Sequence, residues 1–316
     1  MIPALDHIAG PAVDAAGRPT LDLPPGSPDW AARALEQRPR ESRVDVGGAD
    51  IEVLTWGGGP APGVLLVHGH GAHADWWRVI APQLVKAAGQ VVAYSMGGMG
   101  GSDWRSHYSF DLFADELCAV AAATGLTGPA QRPWLVAHSF GCLPVLMAAE
   151  RLGSAIAGIA LIDFYLPPPG QPRARPQQRK IRRYDSFEEA IARFRLSPPQ
   201  DCPTPFLIDL VARRTLRRAS DHWTWCTDPA ATIPVPHDAF RARLRAIECP
   251  LVLMRGERSR LVDDAVTEHV CSLAPRTAHY VEVPDADHHV LLDRPLALVA
   301  ALRTMLAFGG PTGEAG

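Results

Sequence analysis

The chain has 316 residues, 47% of them hydrophobic and 21% charged, and a formal net charge of −3. This describes a soluble globular protein with ample core-forming material, and the slight acidity speaks against nucleic acid as a partner of the whole chain. The opening Met1-Ile2-Pro3-Ala4-Leu5-Asp6 lacks a basic stretch followed by an apolar one, and the longest apolar runs, such as Ile159-Ala160-Leu161-Ile162, are strand-sized. Neither a secretory leader nor a membrane span is expected, and the six scattered cysteines (118, 142, 202, 226, 249, 271) suit reduced thiols in a cytoplasmic protein without a zinc knuckle.

Residues 1–41 are rich in Pro, Gly and Ala and predict an irregular extension with one short helix around Trp30 to Gln37. From Ser42 the pattern changes to period 2: Arg43-Val44-Asp45-Val46, the turn Gly47-Gly48, then Ile51 to Trp56, which reads as a hairpin. Buried-type strands then alternate with helices: strand 63–67, helix 75–88, strand 90–94, helix 111–124, strand 133–137, helix 140–152, strand 157–163. The alternation stops, then resumes with strand 250–255, helix 264–273, strand 278–283 and helix 295–308. Short apolar runs separated by helices imply a mostly parallel sheet covered on both faces, an α/β fold.

The interruption, residues 166–233, opens on Leu166-Pro167-Pro168-Pro169-Gly170 and stays Pro-rich through Pro176. Helices are expected over Ser186 to Leu196 and Pro203 to Ala219, followed by the aromatic stretch His222-Trp223-Thr224-Trp225. Such an insertion, on the side of the sheet that carries the site, is expected to form a cap. The predicted division is therefore an extension (1–41), a first core part (42–165), a cap (166–233) and a second core part with a short flexible tail (234–316). Between residues 166 and 222, twelve Lys and Arg face six Asp and Glu, a local +6 on a chain of −3. A solvated helix surface accounts for that surplus, and so does attraction of an acidic substrate.

Four segments carry chemistry. Ala137-His138-Ser139-Phe140-Gly141 lies between a buried strand and a helix, and small-x-Ser-x-small at that junction reads as a nucleophile elbow. The turn is tight enough to leave little room at positions 137 and 141, and it holds Ser139 exposed at the end of a strand. His68-Gly69-His70-Gly71 follows the strand Val64 to Val67. Its backbone, at His70, and the Phe140 N–H are the expected oxyanion hole. The spacing of His68, His70 and His73 also suits a metal cluster, but Ala72 stands where such a motif wants Asp, and no metal is expected.

The third segment, Pro284 to Pro295, contains His288 and His289, placed after the last strand and before the last helix. A serine nucleophile needs an imidazole base, and His288 is the first choice, His289 the second. The fourth is the acid that orients that imidazole. Asp163 closes the run Ala160-Leu161-Ile162, and a carboxylate ending a buried strand needs a partner. Its rivals are Glu257 and Asp263, in the loop after strand 250–255.

With these residues in hand, the chain resembles the α/β-hydrolase-fold serine hydrolases over residues 42–308. The resemblance rests on His68-Gly69-His70-Gly71, the turn Gly98-Met99-Gly100-Gly101-Ser102-Asp103-Trp104, the elbow, and Asp287-His288. It implies an eight-stranded, largely parallel sheet with the cap entering after the sixth strand. Many relatives place an Asp where this chain has Ser259, and members with a Gly-x-x-Ser stretch there often carry the acid after the sixth strand, which favours Asp163. Ser95 replaces an Asp common before the glycine turn, and Asp285 and Asp287 replace glycines common before the histidine. Serine at the elbow points away from the dehalogenase and epoxide-hydrolase branches, which use a carboxylate nucleophile. The expected activity is cofactor-free hydrolysis of an ester, lactone or thioester, acting on a small acyl substrate that could be acidic. An acyltransferase or cyclase, or a carbon–carbon bond hydrolase, stands as the alternative.

Overall fold

The computed structural model describes residues 10–59, 62–128, 131–171 and 180–308. Residues 1–6, Arg173, Arg175 and Arg179 of the basic surplus, the Pro172–Pro176 run and the C-terminal tail lie outside the described residues.

Helix α1 (Asp29–Glu36) is followed by β1 (Arg40–Val46) and β2 (Ala49–Gly57), which pair antiparallel with Val46 opposite Ala49. Gly47 (φ 60°) and Gly48 (φ 78°) both occupy the left-handed region that a two-residue hairpin turn of this twist requires. Next come β3 (Val64–Val67), α2 (Ala81–Ala88), β4 (Gln90–Tyr94), α3 (Phe110–Ala123), β5 (Trp134–His138), α4 (Cys142–Leu152) and β6 (Gly158–Ile162). The expected helix 75–88 is divided into a 3-10 turn at Ala74–Trp77 and α2, which starts with Pro82 in its first turn.

After β6 the chain forms α5 (Phe187–Ile191), α6 (Pro205–Arg214), and the short strands β7 (Leu216–Arg218) and β8 (Trp223–Trp225) before returning to the core. Both helices are shorter than expected, and the aromatic stretch is a strand paired antiparallel with β7. Thr215 closes α6, and the aromatic and β-branched residues that follow favour a pleated surface over a helix. Trp223 is thereby fully buried with Tyr184, Phe187 and Leu216. The return begins with α7 (His237–Arg245), whose Arg-rich sequence hides an apolar stripe of Phe240 and Leu244. Then follow β9 (Leu251–Gly256), α8 (Asp264–Leu273), β10 (His279–Val283), the single-turn α9 (Val290–Asp293) and α10 (Pro295–Phe308).

Eight strands form one sheet in the order β1-β2-β4-β3-β5-β6-β9-β10, antiparallel at β1–β2 and β2–β4 and parallel throughout the rest. Side chains alternate between its faces. Leu65, Val67, Leu135, Ala137, Ile159 and Leu161 pack with α3, α4, α7 and α8 in one core. Val64, Leu66, Trp134, Val136, Ala160 and Ile162 pack with α2 and α10 in the other. A sheet buried on both faces can present side chains to a substrate only at strand ends, so the site must lie in the loops there.

The segment between β6 and α7 is bonded to loops at those ends. Thr232 Oγ1 lies 3.0 Å from His70 Nε2 beyond β3, and Asp228 N–H donates to the Gly98 carbonyl beyond β4 at 2.7 Å. Beyond β10, Gln200 accepts from the His289 N–H at 2.8 Å and Thr204 donates to the Leu292 carbonyl.

A buried ion network joins the same segment to the N-terminal extension. Asp75, 1% exposed, accepts from Arg78 at 2.7 Å and from Arg214 of α6 at 2.8 Å. Arg214 also reaches Asp14 at 2.9 Å and the Pro19 carbonyl at 2.8 Å, and Arg18 pairs with Glu52 of β2. Burial alone would raise the Asp75 carboxyl, but Arg78, Arg214 and Arg18 together hold it well below its ordinary value.

Candidate active site

Ser139 sits directly past the end of β5 in a left-handed backbone conformation, φ 53°. A non-glycine residue there is strained, and such strain persists only where surrounding structure fixes it. The fixing is visible. A side-chain carbon at Gly141 would collide with the His68 carbonyl, so the helix start lies against the loop after β3. One at Gly69 would fall 3.3 Å from Ser139 Cβ and 3.1 Å from His138 Nδ1, so glycine there lets that loop press on the turn. Ser139 and Phe140 are half-buried, so the serine is less open than the exposed one expected from the sequence, and Ala137 is fully buried.

His70 is exposed, and its ring meets Phe140 edge to face with centroids 5.4 Å apart, which brings the two expected oxyanion residues onto neighbouring loops. His68 and His73 do other work. The Met96 N–H donates to His68 Nε2 at 2.9 Å, so Nδ1–H donates to the Gly69 carbonyl at 2.7 Å, and burial pushes this neutral ring to about 3. His73 Nε2 lies 3.1 Å from Thr215 Oγ1, and burial pushes it to about 4. The His-x-His-x-x-His spacing is thus committed to bracing loops. Ser95, the departure before the glycine turn, donates to Glu52 at 2.7 Å and accepts from the Ala74 N–H at 3.0 Å.

Asp163 lies just past β6, fully buried, and is likewise left-handed, φ 49°. Its Oδ2 accepts from His288 Nδ1 at 2.6 Å and from the Ser259 hydroxyl at 2.7 Å, and its Oδ1 accepts from the Gly256 N–H at 3.0 Å. Three donors fill the acceptor positions of this carboxylate, and its bond to Nδ1 fixes which imidazole nitrogen carries the proton. His288 is 3% exposed and its carbonyl accepts from His138 Nε2 at 2.9 Å, with the two rings 4.9 Å apart. That contact sets His288 beside the residue preceding Ser139. Among the described residues no hydrogen bond joins Ser139 Oγ to His288, and catalytic hydrogen bonds often tighten only in the substrate complex.

The rival carboxylates are engaged elsewhere. Asp263 caps α8, accepting from the Val266 N–H, and Glu257 accepts from the Asp285 N–H at 2.7 Å. His289, the second choice for the base, faces Trp76 at 5.5 Å, and among the described residues no hydrogen bond joins it to Asp163. The sequence marks Ser259 as the place an acid has vacated and, within Gly-x-x-Ser, as a pointer to Asp163, without saying what its hydroxyl does. The geometry makes it the donor that holds the acid. Sequence reasoning overlooked His138, whose signal was its position beside the serine.

The comparisons agree with this architecture. A family model described as "Alpha/beta hydrolase family" matches residues 64–302. The chain is similar to the esterase Rv0045c of Mycobacterium tuberculosis, 28% identical over 85% of this chain and 89% of that protein. It is similar to a non-heme haloperoxidase of Rhodococcus erythropolis, 24% identical over 76% of this chain and 90% of that one. Among solved structures, a thioesterase domain from the curacin biosynthetic pathway superposes with a TM-score of 0.69 at 20% identity, covering 85% of this chain and 99% of the domain. Among the described residues, no helix is long and apolar enough to cross a membrane.

Proposed function

Because the chain belongs to the alpha/beta hydrolase family, we propose that it is a serine hydrolase that cleaves a carboxylic ester or a related acyl bond, with Ser139, His288 and Asp163 as its triad. The observation that carries this reading is the 2.6 Å hydrogen bond between Asp163 and His288 Nδ1, made beside a serine in a strained strand-to-helix turn. With Nδ1–H bound to the carboxylate, His288 Nε2 is free to take the Ser139 proton as Oγ attacks the acyl carbon. The charge that develops on the acyl oxygen is met by the His70 and Phe140 N–H groups, each worth about 3–4 kcal/mol if lost. The imidazolium then returns its proton to the leaving alkoxide. Water, deprotonated by the same nitrogen, releases the acid from the acyl-enzyme and restores Ser139.

The likeness to the esterase Rv0045c supports an ester over other acyl bonds, and the thioesterase domain keeps a thioester within the substrate class. The segment 166–233 acts as the cap, since its bonds reach the loops holding His70 and His289. The test is a panel of esters, lactones and acyl-thioesters with intact-protein mass measured in parallel. Ser139→Ala is expected to lower turnover by about 10⁴–10⁶ with the fold unchanged, and a serine-directed phosphonate is expected to add to the parent but not to the variant. Variant turnover within about tenfold of the parent would sink the assignment.

A further inference from the structure

The neighbourhood of His288 holds two imidazoles that the proposed mechanism does not use. His138, His288 and His289 are 2%, 3% and 4% exposed, and one ring nitrogen of each lies within 4.8 Å of those of the other two. Ring centroids are 4.9 Å apart for His138–His288, 4.8 Å for His288–His289 and 5.7 Å for His138–His289. Neither ring nitrogen of His289 has a hydrogen-bond partner of good geometry, although the Pro198 backbone lies beside the ring. A buried polar ring left in that state calls for an explanation.

Burial, with His288 next to it, pushes His289 down to about 3. Burial and the neighbouring His288 and His289 likewise hold His138 well below its ordinary value. Imidazole nitrogen is the preferred ligand of the later first-row divalent ions, and three such rings converge here. His288 is already arranged as such a ligand. Its Nδ1 is held by the Asp163 carboxylate, which fixes the tautomer and the orientation of the ring.

We propose that His138, His288 and His289 form a three-imidazole site for a divalent transition-metal ion of the zinc or copper class, and that an ion seated there occupies His288 Nε2 and stops turnover. The inhibition rests on the reading of His288 as the base. A metal–nitrogen distance of about 2.0–2.1 Å requires ligand nitrogens ~3.3 Å apart in a tetrahedral site, so the rings close inward by an ångström or so on binding. If His138 binds through Nε2, it gives up its bond to the His288 carbonyl. Binding is therefore reversible and selective. Magnesium, which demands oxygen ligands, is not taken up.

The test titrates Zn²⁺ into the full chain by calorimetry and follows ester turnover over the same concentrations. A Cys271→Ser background removes the exposed thiol as a competing ligand. The expected result is one ion per chain, with turnover falling along the binding curve and Mg²⁺ without effect. His289→Gln and His138→Gln are each expected to weaken binding by about tenfold or more. Should His138→Gln fail to fold, His289→Gln decides alone, because its ring makes no hydrogen bond of good geometry that folding would miss. Equal affinity in the parent and the folded variants, or no stoichiometric binding, overturns the site. One ion bound to the parent, lost in the variants, yet harmless to turnover at saturation keeps the ion's seat. It then refutes inhibition through His288, and with it the reading of that residue as the base.

Discussion

Two regions of this molecule bury titratable side chains, and they manage charge in opposite ways. Around Asp75, every carboxylate has a guanidinium: Arg78 and Arg214 on Asp75, Arg214 on Asp14, Arg18 on Glu52. Around Asp163, a single buried carboxylate is met by an imidazole, a hydroxyl and a backbone N–H, and among the described residues no guanidinium bonds to it. A carboxylate locked between arginines has no way to respond to a proton that moves nearby. One that faces a histidine can stabilise an imidazolium when it forms and release it afterwards. The first arrangement holds parts of the chain together; the second leaves a charge in waiting.

The sharpest way to break this contrast is to neutralise each carboxylate in turn. Asp163→Asn keeps the acceptor for Gly256 but can stabilise the wrong His288 tautomer, and it cannot balance an imidazolium. Its expected cost is up to about 10⁴ in kcat, with the unfolding transition little moved. Glu257→Gln and Asp263→Asn are the controls, expected to stay within about tenfold of the parent, the second because asparagine caps a helix as well as aspartate does. A silent Asp163→Asn beside one severe loop variant would put the acid after β9.

Asp75→Asn is expected to do the reverse. It leaves Arg78 and Arg214 buried with a neutral partner, and breaking a buried pair from one side costs about 3–5 kcal/mol. Chemical denaturation reads the loss, and turnover per folded molecule is expected to be nearly unchanged. If activity falls with stability preserved, the network belongs to the site and the contrast fails.

Acid distinguishes the two regions more gently. His289 sits at about 3 when folded against an ordinary 6.5, so its contribution is fully present above pH 6.5 and is lost as pH falls toward the folded value. Asp75 has an ordinary value of 3.8 and a folded value well below it, so its contribution begins to fade only below about pH 4. Between pH 7 and 4 stability is therefore expected to decline by about 3 kcal/mol through His289 alone, with the buried His68 and His73 adding to the fall. His289→Phe is expected to flatten that slope. An unchanged slope would mean that the ring is protonated while folded.

Much of this was legible in the sequence because it is local. The period-2 hairpin with Gly47-Gly48, the strands running from Val64 to Val283, and α8 and α10 are each announced by a pattern within their own residues. Asp163 could be singled out because a carboxylate closing an apolar strand is conspicuous. What stayed hidden depends on residues distant in sequence. Nothing near Arg214 or Asp14 marks them as buried partners, since an arginine on an amphipathic helix looks the same whether it faces solvent or an aspartate across the fold. The expected helix Pro203 to Ala219 takes in β7 because a short Arg-containing stretch fits both periods, and the aromatic stretch becomes a strand only through its pairing with β7 and through Tyr184, which packs on Trp223 from far upstream. The convergence of His138 with His289 needs the β5 turn and the loop after β10 to meet, which no spacing rule shows.

Ser139 and Asp163 follow β5 and β6, strands that pair directly, with His138 opposite Ile162, and that α4 and its flanking 3-10 turns connect. The proposed nucleophile and acid are thus encoded on one uninterrupted strand–helix–strand unit. Everything between residues 166 and 236 enters the chain after that unit is complete. Lengthening, shortening or exchanging this stretch leaves the spacing of those two groups untouched, so a lineage could explore new substrates there without rebuilding half its machinery. The tether is local: Gln200, Cys202 and Thr204 hold the loop that delivers His288, and there novelty and integrity cannot be separated.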